Sequence, residues 1–366
     1  MSERARERPF RVGLIASPHP HASMHLRTLD VVPKVEVLDV CGVAGQDAAA
    51  LAGSVTKVRS LAAEPAALLT DPTLDALLVC VRNDLCAPLL AAAVDAGKPV
   101  LFEKPGALRA DDLRAVAESA KARGVVMGAY YQWRGHPLIQ EVKQAIDGGA
   151  LGRIMAVEAR MVTSQVRYRD PELWLFRQAT AGSGILSWLA CHFLDLLCYL
   201  LGDRVVDVAA LTGRQNPEPI DVEDTACLGL RFAGGALGTV HAGYHLAGSA
   251  PGYSGAAYDT FIGLRGTEGY VRLPLSESLA YTLYSQAPGW AAGGRRERRF
   301  DLPSSPAYGG KPGEQFLVDF LRAARAGRRP QNTIEDAVHV LEIVEAALQS
   351  SRDGRTVRIP TTGALP

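Results

Sequence analysis

Residues 76–103, ALLVCVRNDLCAPLLAAAVDAGKPVLFE, place one longer segment between two short apolar runs. The runs ALLVCV (76–81) and KPVLFE (98–103) are typical of buried strands. The intervening LCAPLLAAAVDAG has helical spacing and stops at Gly97, the residue type that most often follows a helix end. A strand, a helix and a strand in this order predict a right-handed crossover between two parallel strands.

The same alternation extends outward over the N-terminal part of the chain. Further strands are predicted at 10–16, 35–44 and 125–131, and helices at 22–29 and 110–124. Repeated strand–helix units place helices on both faces of a parallel sheet. The sequence therefore predicts a doubly wound α/β domain over residues 8–150.

The remainder, residues 151–366, has a different pattern. After a helix predicted at 137–147, alternating or strand-like segments are predicted at 153–162, 224–245 and 260–275, with helices at 185–202 and 334–350. A buried helix followed by several strands joined at short Gly-containing turns predicts a second α/β domain with an open, largely antiparallel sheet.

Composition limits the classes of partner. The chain has 366 residues, and its 39 basic and 39 acidic side chains leave no net charge. Without a field of one sign, we expect neither nucleic acid nor an anionic membrane as partner. No apolar run reaches the roughly 18 residues that span a bilayer, and no signal-peptide segment follows MSERARERPF. The six cysteines form no CxxC pair, so we expect a cytoplasmic protein with reduced thiols.

Four stretches, in order along the chain, together resemble the Gfo/Idh/MocA family, the relatives of glucose–fructose oxidoreductase and inositol dehydrogenase. They are 83–105, ending in Glu-Lys-Pro; 181–197, a glycine cluster followed by His-x-x-Asp; 224–240 with 264–273; and 334–360. The resemblance implies a Rossmann-type N-terminal domain and an NAD or NADP cofactor. It also implies hydride transfer at a hydroxyl or keto carbon of a sugar, cyclitol or related polyol, in a homodimer or homotetramer.

Two residues are the catalytic candidates. Lys104 follows a predicted parallel strand, at the edge where open α/β sheets present their ligands. By resemblance it touches the reacting hydroxyl, and its ammonium group can hold an alkoxide. By the same resemblance His192 exchanges the hydroxyl proton, with Asp195 three residues later on the same predicted helix. A hydrogen-bonded core histidine is the other interpretation of His192.

The first loop, GLIASPHPHASMH (13–25), departs from the family pattern. Ala, Ser, Pro and His replace the glycines, and Pro18 and Pro20 have no N–H to offer a pyrophosphate. The acid that would hold the adenosine ribose is missing, with Gly42 or Gly45 in its place. Two readings stay open: a rebuilt cofactor loop, or a family member that has lost dinucleotide binding and serves as a non-redox partner subunit or small-molecule binder.

The resemblance still implies a set of contact positions. Cofactor contacts are expected at Ala16, Ser17, His19, Ala22, His25, Gln46, Asn83, Glu103, Pro105 and Gln132. Substrate contacts are expected at Tyr130, Arg134, Arg177, Trp188 and Asp195. Trp188 stands where the family has an acid, and an indole cannot accept a proton, so it forms either a platform for a sugar face or core packing.

The histidines of the first loop do not predict a metal site. His19, His21 and His25 lie within seven residues in a Pro-rich turn, with no carboxylate near them in sequence. We expect them to line the loop, or to contact phosphate as imidazolium groups.

Overall fold

The structure is a computed structural model that describes residues 8–53, 55–249, 255–290 and 294–360. Its contacts group the chain into two compact units. The first comprises the residues up to Ala107, Asp111–Gly135 and Pro303–Ala337; the second comprises Leu108–Ala110, His136–Leu302 and the residues from Val338. This division differs from the predicted boundary at residue 150, because the chain leaves the first unit at Gly135 and returns to it at Pro303.

The first unit contains a six-stranded sheet in which every pair of neighbouring strands is parallel. Its strands are β1 (Phe10–Ala16), β2 (Val35–Gly42), β3 (Val58–Ala62), β4 (Ala76–Cys80), β5 (Val100–Phe102) and β6 (Met127–Ala129). The strands lie in the order β3-β2-β1-β4-β5-β6. The chain builds the sheet outward from β1 in one direction and from β4 in the other, so the strand order changes direction between β1 and β4. The predicted Rossmann-type, doubly wound parallel sheet is confirmed.

The helices follow the predicted alternation, with additions. In chain order they are α1 (Ala22–Val31), α2 (Ala48–Ala52), α3 (Pro65–Thr70), α4 (Asn83–Asp95), α5 (Ala110–Arg123), α6 (Pro137–Asp147), α7 (Gln178–Ala181), α8 (Cys191–Leu201), α9 (Gly310–Arg325) and α10 (Ile334–Asp353). The sequence missed α2, α3, α7 and α9. Short helices such as α2 and α3 complete too few turns for an apolar period to emerge.

The second unit contains a nine-stranded sheet. Its strands are β7 (Ile154–Ser164), β8 (Val205–Gly213), β9 (Thr225–Phe232), β10 (Leu237–Leu246), β11 (Tyr258–Gly266), β12 (Gly269–Leu273), β13 (Ala280–Ser285), β14 (Arg295–Arg299) and β15 (Val357–Arg358). The order is β14-β13-β12-β11-β7-β10-β9-β8-β15, antiparallel except for the parallel pair β7 and β10. The open, largely antiparallel sheet is confirmed. One face of this sheet carries two exposed leucines, Leu211 (76% exposed) and Leu237 (52% exposed). The assembly of copies of this chain into a dimer or tetramer stays a prediction.

The predicted helix 185–202 is a composite. A π-helical segment, Leu186–Ala190, precedes α8, and Gly202 ends it in the left-handed conformation (φ 62°). Among the described residues, Gln178–Leu201 is long and apolar enough to cross a membrane, but 83% of its most apolar window is buried inside the protein. A buried helix in a protein core meets these criteria of length and apolar composition as readily as a membrane-spanning helix does.

The N-terminus of α6 provides a pH-dependent cap. Nδ1 of the buried His136 accepts the N–H of Leu138, and burial lowers the pKa of this imidazole to about 4. Between pH 6.5 and 4 the unfolded chain therefore binds a proton at this histidine that the folded protein does not bind. As the pH is lowered through this range, the free energy of unfolding falls by about 3 kcal/mol. His136→Asn keeps a capping acceptor without this titration.

We expect the acid-induced loss of unfolding free energy to be smaller in His136→Asn by about that amount. The measurement is urea unfolding of both proteins at pH 7 and pH 4. The other histidines titrate alike in both proteins, so the difference isolates His136. Parallel declines would contradict the assignment.

Candidate active site

Candidate functional residues of the first unit gather at one edge of its sheet. Parallel strands end at the same edge, so Ser17 after β1, Asn83 after β4, Glu103 and Lys104 after β5 and Gln132 after β6 all belong to it. Ligands of open α/β sheets bind at this edge, where the strand order reverses. Four of the sequence-predicted cofactor residues and Lys104 thus follow strands that end at this edge.

A buried ionic cluster lies at the end of β5. The Glu103 carboxylate accepts a hydrogen bond from Nδ1 of His21 (2.9 Å) at Oε1 and one from Nε2 of His25 (2.7 Å) at Oε2. Nζ of Lys104, a residue only 1% exposed, is 3.7 Å from Oε1. Pro105 follows Lys104 through a cis peptide bond. The cluster therefore joins the first loop to the Glu-Lys-Pro motif.

Burial and hydrogen bonding set the charges of this cluster. Burial opposes ionisation of Glu103, but the two imidazoles outweigh it and hold the pKa of the carboxyl well below its usual range. Burial also lowers the pKa of His19 and of His21, so both rings are neutral at pH 7. Desolvation disfavours the charged forms of these two rings, so the structure gives no support to the expectation that His19 and His21 contact phosphate as imidazolium groups.

The first loop satisfies much of its own hydrogen bonding. The N–H of Ser17 bonds to Cys80 O, and the N–H groups of His21 and Ala22 bond to Nδ1 and O of His19. The prolines add no donors. Ser23 and Met24, in the first turn of α1, are exposed, and the N-terminus of a helix is a favourable place for an anion. Ala16, at the end of β1, is fully buried.

Gly42, at the end of β2, has no room for the side chain of a ribose-binding acid. A Cβ at Gly42 would lie 2.0 Å from the carbonyl oxygen of Gln46, so only glycine fits there. The next acid along the chain, Asp47, caps α2 by accepting the N–H groups of Ala49 and Ala50. The side chain of Gln46 donates to the Asp47 carbonyl. The missing acid is thus a consequence of the local backbone path.

The residues after β6 divide into packing groups and one ligand candidate. Tyr130 is buried and stacks on Tyr308 (5.2 Å between ring centres), and Arg134 pairs with Asp336 (3.1 Å). These contacts are internal to the first unit and give no support to the predicted substrate roles of Tyr130 and Arg134. The buried Oε1 of Gln132 has no hydrogen-bond partner within the described part of the chain, so it can accept a bond from a polar ligand.

The second unit anchors its composite helix through a residue that the sequence analysis missed. The buried Glu223 carboxylate accepts the Ser183 hydroxyl (2.8 Å) and the N–H groups of Gly184 (2.8 Å) and Leu186 (3.1 Å). Burial raises the pKa of this carboxyl although the hydrogen bonds act against it. A Cβ at Gly184 would lie 1.9 Å from the Glu223 carbonyl oxygen, which explains the glycine at this position.

The remaining candidates lie in the same unit. Trp188, in the π-helical segment, and His192 and Asp195, on α8, are all buried. Trp188 meets Trp174 edge-to-face (6.0 Å). Arg177 forms an ion pair with Glu172 (2.6 Å) and donates a hydrogen bond to the Pro219 carbonyl (2.6 Å). These contacts do not bring it together with the candidates on the composite helix.

Comparison with known proteins identifies relatives of both halves of the chain. The family model described as "Oxidoreductase family, NAD-binding Rossmann fold" matches residues 11–131, and the model "GFO/IDH/MocA C-terminal domain" matches residues 139–272. Levoglucosan dehydrogenase of Pseudarthrobacter phenanthrenivorans is 26% identical over 81% of this chain and 83% of its own. For 1,5-anhydro-D-fructose reductase of Ensifer adhaerens these values are 28%, 80% and 82%.

The fold has a counterpart among solved structures. Levoglucosan dehydrogenase in complex with NADH and levoglucosan matches with a TM-score of 0.85, over 97% of this chain and 100% of that chain. At 23% identity this likeness shows a shared fold.

Proposed function

The chain belongs to the Gfo/Idh/MocA oxidoreductase family, and from this premise we propose that it transfers hydride between NAD or NADP and a hydroxyl or keto carbon of a sugar, cyclitol or related polyol. Its relatives carry the names of sugar and inositol dehydrogenases. The observation that carries the proposal is Lys104, buried at the carboxyl end of β5 beside the Glu103 carboxylate.

The chain's own residues handle charge and protons in this proposal. A bound nicotinamide would accept or supply the hydride. Lys104 orients the reacting hydroxyl and stabilises the negative charge that develops on its oxygen. His192 exchanges the hydroxyl proton, a task suited to imidazole near neutral pH. Trp188 cannot share that task, and its proposed role is to pack against the carbon face of the substrate.

Cofactor binding in this proposal falls to the sheet edge and the first turn of α1. The pyrophosphate would bind the N–H groups of Ser23 and Met24, and Gln132 would accept a hydrogen bond from the cofactor or substrate. The absence of an acid after β2 leaves the choice between NAD and NADP to other contacts. A cytoplasmic homodimer or homotetramer stays part of the proposal, and sedimentation of the purified protein tests the assembly.

Because the first loop forms many of its hydrogen bonds within the protein, one alternative function is favoured. In this alternative the protein does not bind a dinucleotide and acts as a partner subunit or small-molecule binder. The test begins with protein purified without added nucleotide, followed by identification of any released cofactor. Calorimetric titration with NAD(H) and NADP(H) comes next, and then a screen of sugars and polyols for reduction of the cofactor.

We expect binding of at least one dinucleotide, and oxidation of a sugar or polyol. His192→Ala should retain the cofactor affinity and lose about a hundredfold or more in kcat, the range that general acid–base groups supply. No retained cofactor and no binding at millimolar concentration would refute hydride transfer and favour the alternative function. Full activity of His192→Ala would refute its proton role.

A further inference from the structure

We propose that His21 and His25 are positioning residues that hold the Glu103 carboxylate in one orientation against Lys104, so that the glycine-poor loop serves the reacting end of the site. The link to Lys104 chemistry rests on the proposed function. The hydrogen-bond arrangement, which we name the histidine clamp (His21, His25 and Glu103), can be tested without it.

The clamp uses one donor for each carboxylate oxygen. His21 donates through Nδ1 to Oε1 and His25 through Nε2 to Oε2. Because a carboxylate can only accept, each bonded ring nitrogen carries a hydrogen. The hydrogen that meets the carboxylate is therefore on Nδ1 in His21 and on Nε2 in His25. Two donors on two oxygens fix the plane of the carboxylate.

The backbone of the loop fixes the first of these rings. His21 is the residue before the first turn of α1, and its own N–H donates to Nδ1 of His19 (3.0 Å). The rings of His19 and His21 meet edge-to-face with centres 5.1 Å apart. Pro18 and Pro20 restrict the backbone on either side of His19. The prolines and the hydrogen bond within the loop, which disfavour phosphate binding, thus orient the His21 ring.

Aromatic side chains enclose the clamp. His25 meets the ring of Tyr130 edge-on (4.4 Å) and that of Tyr308 (5.1 Å), and Tyr308 also lies against His21 (4.7 Å). The Tyr308 N–H donates to the Thr28 hydroxyl (2.7 Å), which ties this ring to α1. These contacts hold the imidazoles in single rotamers and exclude water from the carboxylate.

The neighbouring titratable groups leave the clamp and Lys104 as the charged centre. Burial raises the pKa of the Cys80 and Cys86 thiols and of the Tyr130 phenol, so all three are neutral at pH 7. A metal role does not fit, because Glu103 spends both oxygens on imidazole N–H groups, and no set of metal-binding side chains occurs among the described residues. The clamp therefore presents Lys104 with a carboxylate of fixed charge and direction.

The test compares two substitutions of one residue. His21→Asn places an amide N–H near the position of Nδ1, whereas His21→Leu has similar bulk and no donor. With the sugar or polyol found by screening, His21→Leu should lose about tenfold to a hundredfold in kcat with little change in the KM for cofactor, and His21→Asn should recover most of the loss. His241→Leu, an exposed site in the second unit, is the matched control.

A second readout does not need activity. In ¹⁵N-histidine-labelled protein, the ring nitrogens should report Nδ1–H for His21 and Nε2–H for His25, and His21 should titrate below the usual range of a histidine because burial lowers its pKa. Nε2–H in His21, or equal loss of kcat in His21→Leu and His21→Asn, would overturn the clamp. The expected tautomers in a protein without dehydrogenase activity would uphold the clamp and refute the proposed function.

Discussion

Replacing Lys104 with alanine is expected to lower kcat by about a thousandfold, the largest catalytic effect that we predict for this chain. The side chain is buried beside an ionised carboxylate, so its charge acts in a medium of low polarity where an ion stabilises a developing alkoxide far better than in water. Cofactor affinity should change little, since the reacting hydroxyl is the proposed partner of Nζ. Steady-state kinetics and calorimetry of the same preparation separate the two effects.

Lys98→Ala is the matched control for this substitution. Lys98 is also buried, but it precedes β5, at the opposite edge of the sheet, and its Nζ donates to the carbonyl oxygens of Asp71 and Leu74. Its loss should lower the unfolding temperature and leave kcat nearly unchanged. A kcat for Lys104→Ala equal to that of the control would show that Lys104 is a packing residue with no part in the chemistry.

The sequence predicts the first unit well because buried parallel strands leave a direct signal. All five residues of β4 are buried, and such strands appear as uninterrupted apolar runs between helical segments. Strands exposed to solvent give no such run. β3 has no buried residue and β14 is fully exposed, and the sequence analysis identified neither. The order of strands within each sheet also depends on pairings that lie far apart in sequence.

The site was predictable where a motif marked it and hidden where distant residues meet. Lys104 and Glu103 stand together in Glu-Lys-Pro, but His21 lies 82 residues from its partner Glu103. In the sequence the first loop stands out only because the expected glycines are missing. A histidine in a turn has no sequence feature that reveals a hydrogen bond to a residue after a later strand. Glu223, 39 residues after Gly184, was hidden for the same reason.

Glu223→Ala is expected to lower the free energy of unfolding by about 3–5 kcal/mol, the largest stability effect that we predict. The substitution removes one buried acceptor and leaves three donors, from Ser183, Gly184 and Leu186, without a partner inside the protein. Unsatisfied donors at the start of a helix cost free energy because no water reaches them. Calorimetric scans should show the unfolding temperature lowered by about 10 °C.

Glu172→Ala provides the comparison, because Glu172 is mostly exposed and has one ion pair, with Arg177. Its loss should cost less than about 1 kcal/mol. Since the composite helix carries Trp188 and His192, a loosened start in Glu223→Ala should also lower kcat, and cooling should restore part of it by refolding that turn. Equal unfolding temperatures in the two variants would show that the backbone of 181–186 holds the helix without the carboxylate. The glycine at 184 would then be required for close packing alone.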